Sequence, residues 1–306
     1  MNVIRLRRSV LSVPANKERM VHKAMGLNAD EIMLDLEDSV PVQDKEGARR
    51  AAIACFQEAD FGPKVRACRI NDMQTPYAYR DIIDIVEQAG TSVDVLVVPK
   101  VAGPAHVSAI DLVLSQIETA LNLTRKIGIE ACIETAEGLS QAEAIAASSD
   151  RVEALVFGVA DFTASMGAPP IGVSGHGEGE TGQGRWYSVL CRLAVAAKAN
   201  GLQVIDAPYG DHSDPEGLFA SCRLSSGLGF DGKWAIHPSQ LETINTEFSP
   251  SPERVEQARR VVAAYEQAAG GHSGSLAMEG KMVDAASVRL ARSVVDKWEQ
   301  MHGSRN

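Results

Sequence analysis

The chain has 306 residues, of which 45% are hydrophobic and 23% charged, a balance ordinary for a soluble globular protein and ample for a large core. A formal net charge of −10 argues against a general nucleic-acid binder, although local basic residues can still hold an anionic ligand. The five cysteines, Cys55, Cys68, Cys132, Cys191 and Cys222, form no CxxC pair and fit a disulfide framework poorly, so reduced thiols and a cytoplasmic setting are expected.

The chain opens MNVIRLRRSVLSVPA. Its apolar run is short and Pro14 interrupts it, so it reads as a strand rather than a signal peptide. No later apolar stretch is long enough to span a membrane. Short β-branched runs then recur at Ser9–Ala15, Glu31–Asp38, Lys64–Asn71, Asp94–Val101, Ile127–Thr135, Ala154–Phe162, Gln203–Gly210 and Gly232–Pro238. Helix-like stretches such as Tyr79–Ala89 and Leu139–Ala147 separate them. Alternating strands and helices imply a parallel sheet, and eight βα units imply an α/β fold of the (β/α)8 TIM-barrel class. The barrel is expected over residues 1–248.

Between the sixth and seventh strands lies MGAPPIGVSGHGEGETGQGRW, with glycines at 167, 172, 175, 177, 179, 182 and 184. It reads either as a tolerated surface insertion or as a lid. After the eighth strand, SPSP precedes a helix over Glu253–Ala269, a glycine-rich break at 270–274, and a segment whose latter part is helical. Residues 249–306 therefore form a C-terminal helical extension, free to pack on its own barrel or on a neighbouring subunit.

Barrel active sites form at the C-terminal ends of the strands. In this sequence the polar residues collect there. Strand two supplies Asp35, Glu37 and Asp38; strand three Arg69, Asn71 and Asp72; strand four Lys100. Strand five carries Glu130 and ends in Glu134, strand six ends in Asp161, strand seven in Asp206 and Asp211, and strand eight contains Lys233 and His237. Carboxylates around one mouth repel unless a cation joins them. Oxygen ligands favour a hard metal, and Mg²⁺ usually takes one or two protein carboxylates. Glu134 and Asp161 are the expected pair; either alone could be a helix cap or a surface ion pair. Arg69 can bind a substrate carboxylate or stabilise an oxyanion, or pair structurally with an acid of strand two. Glu37 and Asp38 are expected to orient Arg69, Lys100 or metal-bound water, with Asp35 a buried ion-pair member. His237 reads as structural or ligand-touching, and His176 in the glycine-rich stretch reads as a solvated loop residue.

In this order, SVLSVPANKERM, IMLDLEDSVP, CRIND, VVPKV, ACIETAEGL, VFGVADFTASMG and GKWAIHPSQ resemble the citrate lyase β-subunit-like family across nearly the whole chain. GKMVDAASVRLA and DAPYGDHSDPEGL are most similar to its malyl-CoA and citramalyl-CoA lyase branch. The resemblance implies a TIM-barrel acyl-CoA lyase that uses Mg²⁺, with Mn²⁺ as an alternative ion. It would reversibly cleave L-malyl-CoA, β-methylmalyl-CoA or citramalyl-CoA to acetyl-CoA or propionyl-CoA plus glyoxylate or pyruvate. It assigns Glu134 and Asp161 to the metal and Arg69 to the oxo-acid portion. Leu11, Ser12, Lys17, Arg19 and Lys23 fall in the region that receives CoA, and backbone around Ala160, Trp234, Ala235 and Ile236 lines the same groove. By pattern alone Asp284 is an N-cap; the resemblance makes it an acid/base entering the site of an adjacent subunit. A homo-oligomer, trimer or hexamer, with exchanged tails would follow. Two other outcomes stay open: a thioesterase acting on malyl-CoA, and a non-catalytic assembly subunit of a citrate lyase-type complex.

Overall fold

The computed structural model describes residues 4–169, 184–269, 275–278 and 281–302. Eight parallel strands close a barrel in sequence order: β1 Ser9–Pro14, β2 Glu31–Asp35, β3 Val65–Arg69, β4 Val95–Val98, β5 Gly128–Ile133, β6 Val152–Phe157, β7 Gln203–Asp206 and β8 Gly232–Ala235. Closure places Val10 of β1 against Trp234 of β8. These are short β-branched segments buried on both faces, as parallel strands under a ring of helices must be. Val95, Leu96, Val97 and Val98 have no exposed surface at all. The helices show one apolar stripe. In Ala78–Ala89 the buried positions are Ala78, Asp81, Ile82, Ile85, Val86 and Ala89, the three-and-four spacing of an amphipathic helix.

The sixth strand departs from expectation. It runs Val152–Phe157, and after Gly158 the chain turns at once into a helix, Val159–Ser165. Asp161 therefore sits in the first turn of a helix rather than at a strand end. An unbroken apolar run does not distinguish a strand from a buried helix, and VFGVADF contains both. The expected helix over 139–147 is likewise two short helices, Ala136–Ser140 and Ala142–Ala146.

The barrel floor is polar. Arg7, fully buried, pairs with Glu31 at 3.1 Å, with Glu130 at 2.7 Å and with Glu153. Glu130 thus belongs to the end opposite the mouth. At the wall, Asp206 and Lys233 form a buried pair at 2.6 Å, and Asn71 turns away to Asp81, its side-chain amide donating at 2.6 Å.

The chain divides into two compact units, residues 1–245 and 246–306. The second contains a helix, Pro252–Ala269, a two-stranded antiparallel hairpin of β9 Ser275–Met278 and β10 Lys281–Asp284, and a helix, Ala285–His302. The hairpin was not expected from the sequence. The glycine-rich break at 270–274, and His176, Glu178 and Glu180 of the glycine-rich insertion, lie outside the described residues. No described helix is long and apolar enough to cross a membrane.

Candidate active site

Arg69 ends β3 and is held from three sides. Its Nε and Nη2 donate to the two oxygens of Asp35, each at 2.7 Å, and its Nη1 lies 3.0 Å from Glu37 Oε2. The guanidinium plane rests over the Trp234 ring, 5.4 Å from its centroid. Asp35 is fully buried. Burial alone would raise its pKa, but the Arg69 charge and hydrogen bonds, with help from Ser39, hold it below the usual carboxylate value. Asp35 is the buried ion-pair partner the sequence suggested.

Glu37 faces Arg69 on one side and the Lys100 ammonium on the other. Burial pushes its pKa up against both cations. Asp38 is mostly exposed and lies 3.4 Å from Lys100 Nζ. Lys45, which the sequence reading passed over, donates its ammonium to the carbonyls of Leu36 at 2.8 Å and Glu37 at 2.7 Å. It fixes the turn that carries both acids.

Glu134 ends β5 and is 3% exposed. Thr135 immediately caps the next helix, accepting from the Gly138 amide at 2.9 Å, so the strand stops where Glu134 reaches the mouth. Glu134 Oε1 accepts from the backbone amide of Lys100 at 2.7 Å. Its Oε2 lies over Gly158, 2.1 Å from where a Cβ would sit. Only glycine leaves that space. Burial, with Glu37 and Asp161 adding negative charge, pushes the Glu134 pKa up to about 7.

Lys100 ties the mouth together. Its backbone is left-handed, φ 49°, a conformation that costs a non-glycine residue about 1 kcal/mol or more and tends to mark functional sites. From there its amide meets Glu134, and its ammonium meets Glu37, Asp38 and, at 3.8 Å, Asp161. The sequence showed Lys100 as the polar end of β4 and as a group for Glu37 or Asp38 to orient, not as the residue that also reaches Glu134 and Asp161. Its bent backbone inside VVPKV leaves no compositional trace.

The donor set fits a divalent cation. Asp35, Glu37, Asp38, Glu134 and Asp161 face Arg69, Lys100 and Lys45, five carboxylates against three cations, an excess of two negative charges. Glu134 has Oε1 bonded to the Lys100 amide and Oε2 packed over Gly158. Among the described residues no group of three or more His, Cys, Asp or Glu side chains forms a ready metal cage, and Mg²⁺ needs none.

The remaining candidates are more scattered. Leu11 is buried in the barrel wall and Ser12 is half-buried beside it. Lys17, Arg19 and Lys23 are exposed at the helix Glu18–Met25. Lys17 also lines a groove of about 540 Å³ with Asn16, Gln43, Asp44 and Arg50. Ala160 is exposed at the start of its helix. Ala235 is buried in β8 and Ile236 is 43% exposed. His237 is structural: its ring nitrogen accepts from the Ser239 amide at 3.2 Å in a capping box completed by Gln240. Asp284 is the N-cap the pattern suggested. Its Oδ1 accepts from Ser287 N at 2.8 Å and Ser287 Oγ at 2.9 Å, which hold its pKa below the usual value. It lies in the second unit.

A family model described as HpcH/HpaI aldolase/citrate lyase matches residues 8–238. An L-malyl-CoA/β-methylmalyl-CoA lyase of Cereibacter sphaeroides is 38% identical over 296 residues, 94% of this chain and 93% of that one. A (3S)-malyl-CoA thioesterase of the same species is 36% identical over 295 residues, covering 95% and 94%. Among solved structures, protein CitE of Mycobacterium tuberculosis in complex with magnesium, acetoacetate and coenzyme A superposes with a TM-score of 0.75 at 29% identity, covering 95% of this chain and 98% of that one.

Proposed function

The chain belongs to the HpcH/HpaI aldolase/citrate lyase family, and from that premise we propose a Mg²⁺-dependent acyl-CoA lyase that reversibly splits a 3-hydroxyacyl-CoA. The substrates are L-malyl-CoA, β-methylmalyl-CoA or citramalyl-CoA; the products are acetyl-CoA or propionyl-CoA and glyoxylate or pyruvate. The observation that carries this reading is the mouth itself. A clamped arginine stands beside two carboxylates, Glu134 and Asp161, in a ring short of two positive charges.

Glu134 and Asp161 would hold the metal, with Mn²⁺ an alternative ion. When bound, Mg²⁺ supplies Lewis-acid polarisation of the oxo-acid oxygens. Arg69 has five N–H donors, and Asp35 and Glu37 engage three of its nitrogens. The N–H groups left over bind the anionic end of the substrate and stabilise charge as the hydroxyl becomes a carbonyl. Glu37 and Asp38 hold Arg69 and Lys100 in place during that change. Asp284 of a neighbouring subunit would protonate the acyl-CoA enolate at the carbon next to the thioester carbonyl on cleavage, and remove that proton in condensation. Ser287 keeps that carboxylate ionised, ready for the second task. CoA would lie along Leu11–Lys23, with Lys17, Arg19 and Lys23 toward its phosphates, and along the backbone of Ala160 and Trp234–Ile236. This arrangement requires a homo-oligomer, a trimer or hexamer with exchanged tails. Residues 1–248 would act as the catalytic barrel and 249–306 as the exchanged lid. The free thiols of all five cysteines suit a cytoplasmic enzyme.

A second reading is hydrolysis of the malyl-CoA thioester, favoured by the near-equal likeness to the thioesterase. Product analysis separates the two. The protein is given Mg²⁺ with malyl-CoA or citramalyl-CoA, and free thiol and 2-oxo acid are measured together. Acyl-CoA plus oxo acid, no thiol, and loss of turnover in EDTA are expected. Free CoA with malate or citramalate and no oxo acid would make it a thioesterase.

A further inference from the structure

Trp234 is unlike its neighbours in the barrel core. It stands on β8, level with Val10 of β1, yet its ring reaches far enough across the barrel to lie under Arg69 of β3, 5.4 Å from the guanidinium carbon. Trp234 belongs to a buried apolar cluster with Val10, Met33, Val97, Cys132, Val156 and Ile205 among its members. A phenylalanine would fill such a place. The indole instead brings an N–H into the core, and that N–H is buried with no hydrogen-bond acceptor. Leaving a buried donor without an acceptor is costly. The mouth carboxylates do not satisfy it. Asp35 accepts from Arg69, Ser39 and Glu37; Glu37 faces Lys100 and Arg69; Glu134 accepts from Lys100. The residue as a whole is 5% exposed, and its ring borders the mouth through Arg69.

We propose that the Trp234 indole N–H is a substrate-binding donor, hydrogen-bonding an oxygen of the 2-oxo acid held at Arg69. The ring has a second consequence. By lying beside the guanidinium it also narrows the directions from which the oxo acid can reach Arg69. This rests on the reading of the mouth as an oxo-acid site.

The first test is Trp234→Phe, which keeps an aromatic face under Arg69 and removes only the donor. In the condensation direction, with acetyl-CoA, Mg²⁺ and either glyoxylate or pyruvate, KM for the oxo acid should rise about ten- to hundredfold, the loss expected for one hydrogen bond to a charged group. KM for acetyl-CoA and the melting temperature should hold. An oxo-acid KM unchanged within about twofold, or an equal rise in both KM values, would overturn the assignment. A second measurement needs no variant at position 234 and no turnover. The chain has three tryptophans, Trp186, Trp234 and Trp298. In protein labelled with 5-fluorotryptophan, Trp186→Phe and Trp298→Phe identify the third resonance. Titration of glyoxylate or pyruvate with Mg²⁺ should move that resonance. If it stays still while the oxo acid binds, Trp234 is a filler of the core. A wild-type protein without lyase turnover whose Trp234 resonance still shifts would sink the lyase reading and leave this one standing.

Discussion

At the scale of single residues, the mouth crowds several carboxylates together, and Glu134 registers their charge. Its carboxyl is raised to about 7 by burial and by Glu37 and Asp161. Below that pH it takes up a proton and would be lost to the proposed metal site; above it, the ionised form is available. Apparent Mg²⁺ affinity should therefore fall as pH drops through 7 and flatten above it, as read by a metal-indicator competition titration. An affinity independent of pH across that range would remove Glu134 from the metal site. Lys100 competes for the same carboxylates, 3.8 Å from Asp161 and in contact with Glu37. Lys100→Met should bind Mg²⁺ at least as tightly by calorimetry while turnover falls about 10²-fold, the size of loss typical when one preorganised charge is removed. Weaker Mg²⁺ binding would mean that Lys100 builds the site rather than neutralising it. Arg69 and Glu134 stood out in the sequence as charges closing apolar strands, Asp161 as an acid in a run that turned out to begin a helix, and Asp35 as a buried ion-pair member. The roles of Lys100 and Lys45 did not. Nothing in the spelling of VVPKV gives Lys100 a left-handed backbone, and nothing near Lys45 shows its ammonium on the carbonyls of Leu36 and Glu37.

At the scale of elements, the junction between β6 and the helix Val159–Ser165 governs whether the site assembles. The strand run was legible as an apolar stretch. Its end was not, because the helix that follows is equally apolar and only Gly158 marks the change. That glycine has a steric reason to be there: a Cβ would stand 2.1 Å from Glu134 Oε2 and 2.5 Å from Glu134 Cβ. Gly158→Ala must therefore push Glu134 aside. Mg²⁺ affinity should fall about 10- to 100-fold, the range seen when support for a metal ligand is lost, with the fold retained by circular dichroism. Unchanged affinity would show that Glu134 has room to move without leaving the metal. The tail shows the limit of periodicity in another way. Its helices were readable from spacing, whereas β9 and β10, four residues each and paired only with each other, are too short for alternation to register.

At the scale of the whole molecule, the two ends of the barrel do opposite things with buried charge. The mouth keeps open carboxylates for a ligand. The floor closes on itself, with Glu31, Glu130 and Glu153 around Arg7. Burial and the nearby Glu130 hold the Glu31 pKa well above its usual value. The folded state then binds a proton that the unfolded chain has lost, so stability falls as pH climbs above the ordinary glutamate value of about 4.3 toward the folded one. Glu31→Gln should flatten that slope in melting experiments, since an amide keeps the Arg7 contact without the charge; an unaltered slope would place the buried proton elsewhere. The tail poses the larger question, because a site shared between subunits can be rebuilt from two broken ones. Arg69→Ala removes the arginine from the mouth and keeps the tail; Asp284→Ala removes the tail acid and keeps the mouth. Each alone should be inactive. Co-expressed and randomly assorted, they should recover about one quarter of the wild-type sites if each tail serves a neighbour in a closed oligomer, because half the barrels are intact and half of those meet an intact tail. If the tail serves its own barrel, no subunit holds both groups and the mixture stays dead; an Asp284→Ala protein that is active by itself would instead return Asp284 to the simple helix cap that Ser287 makes of it.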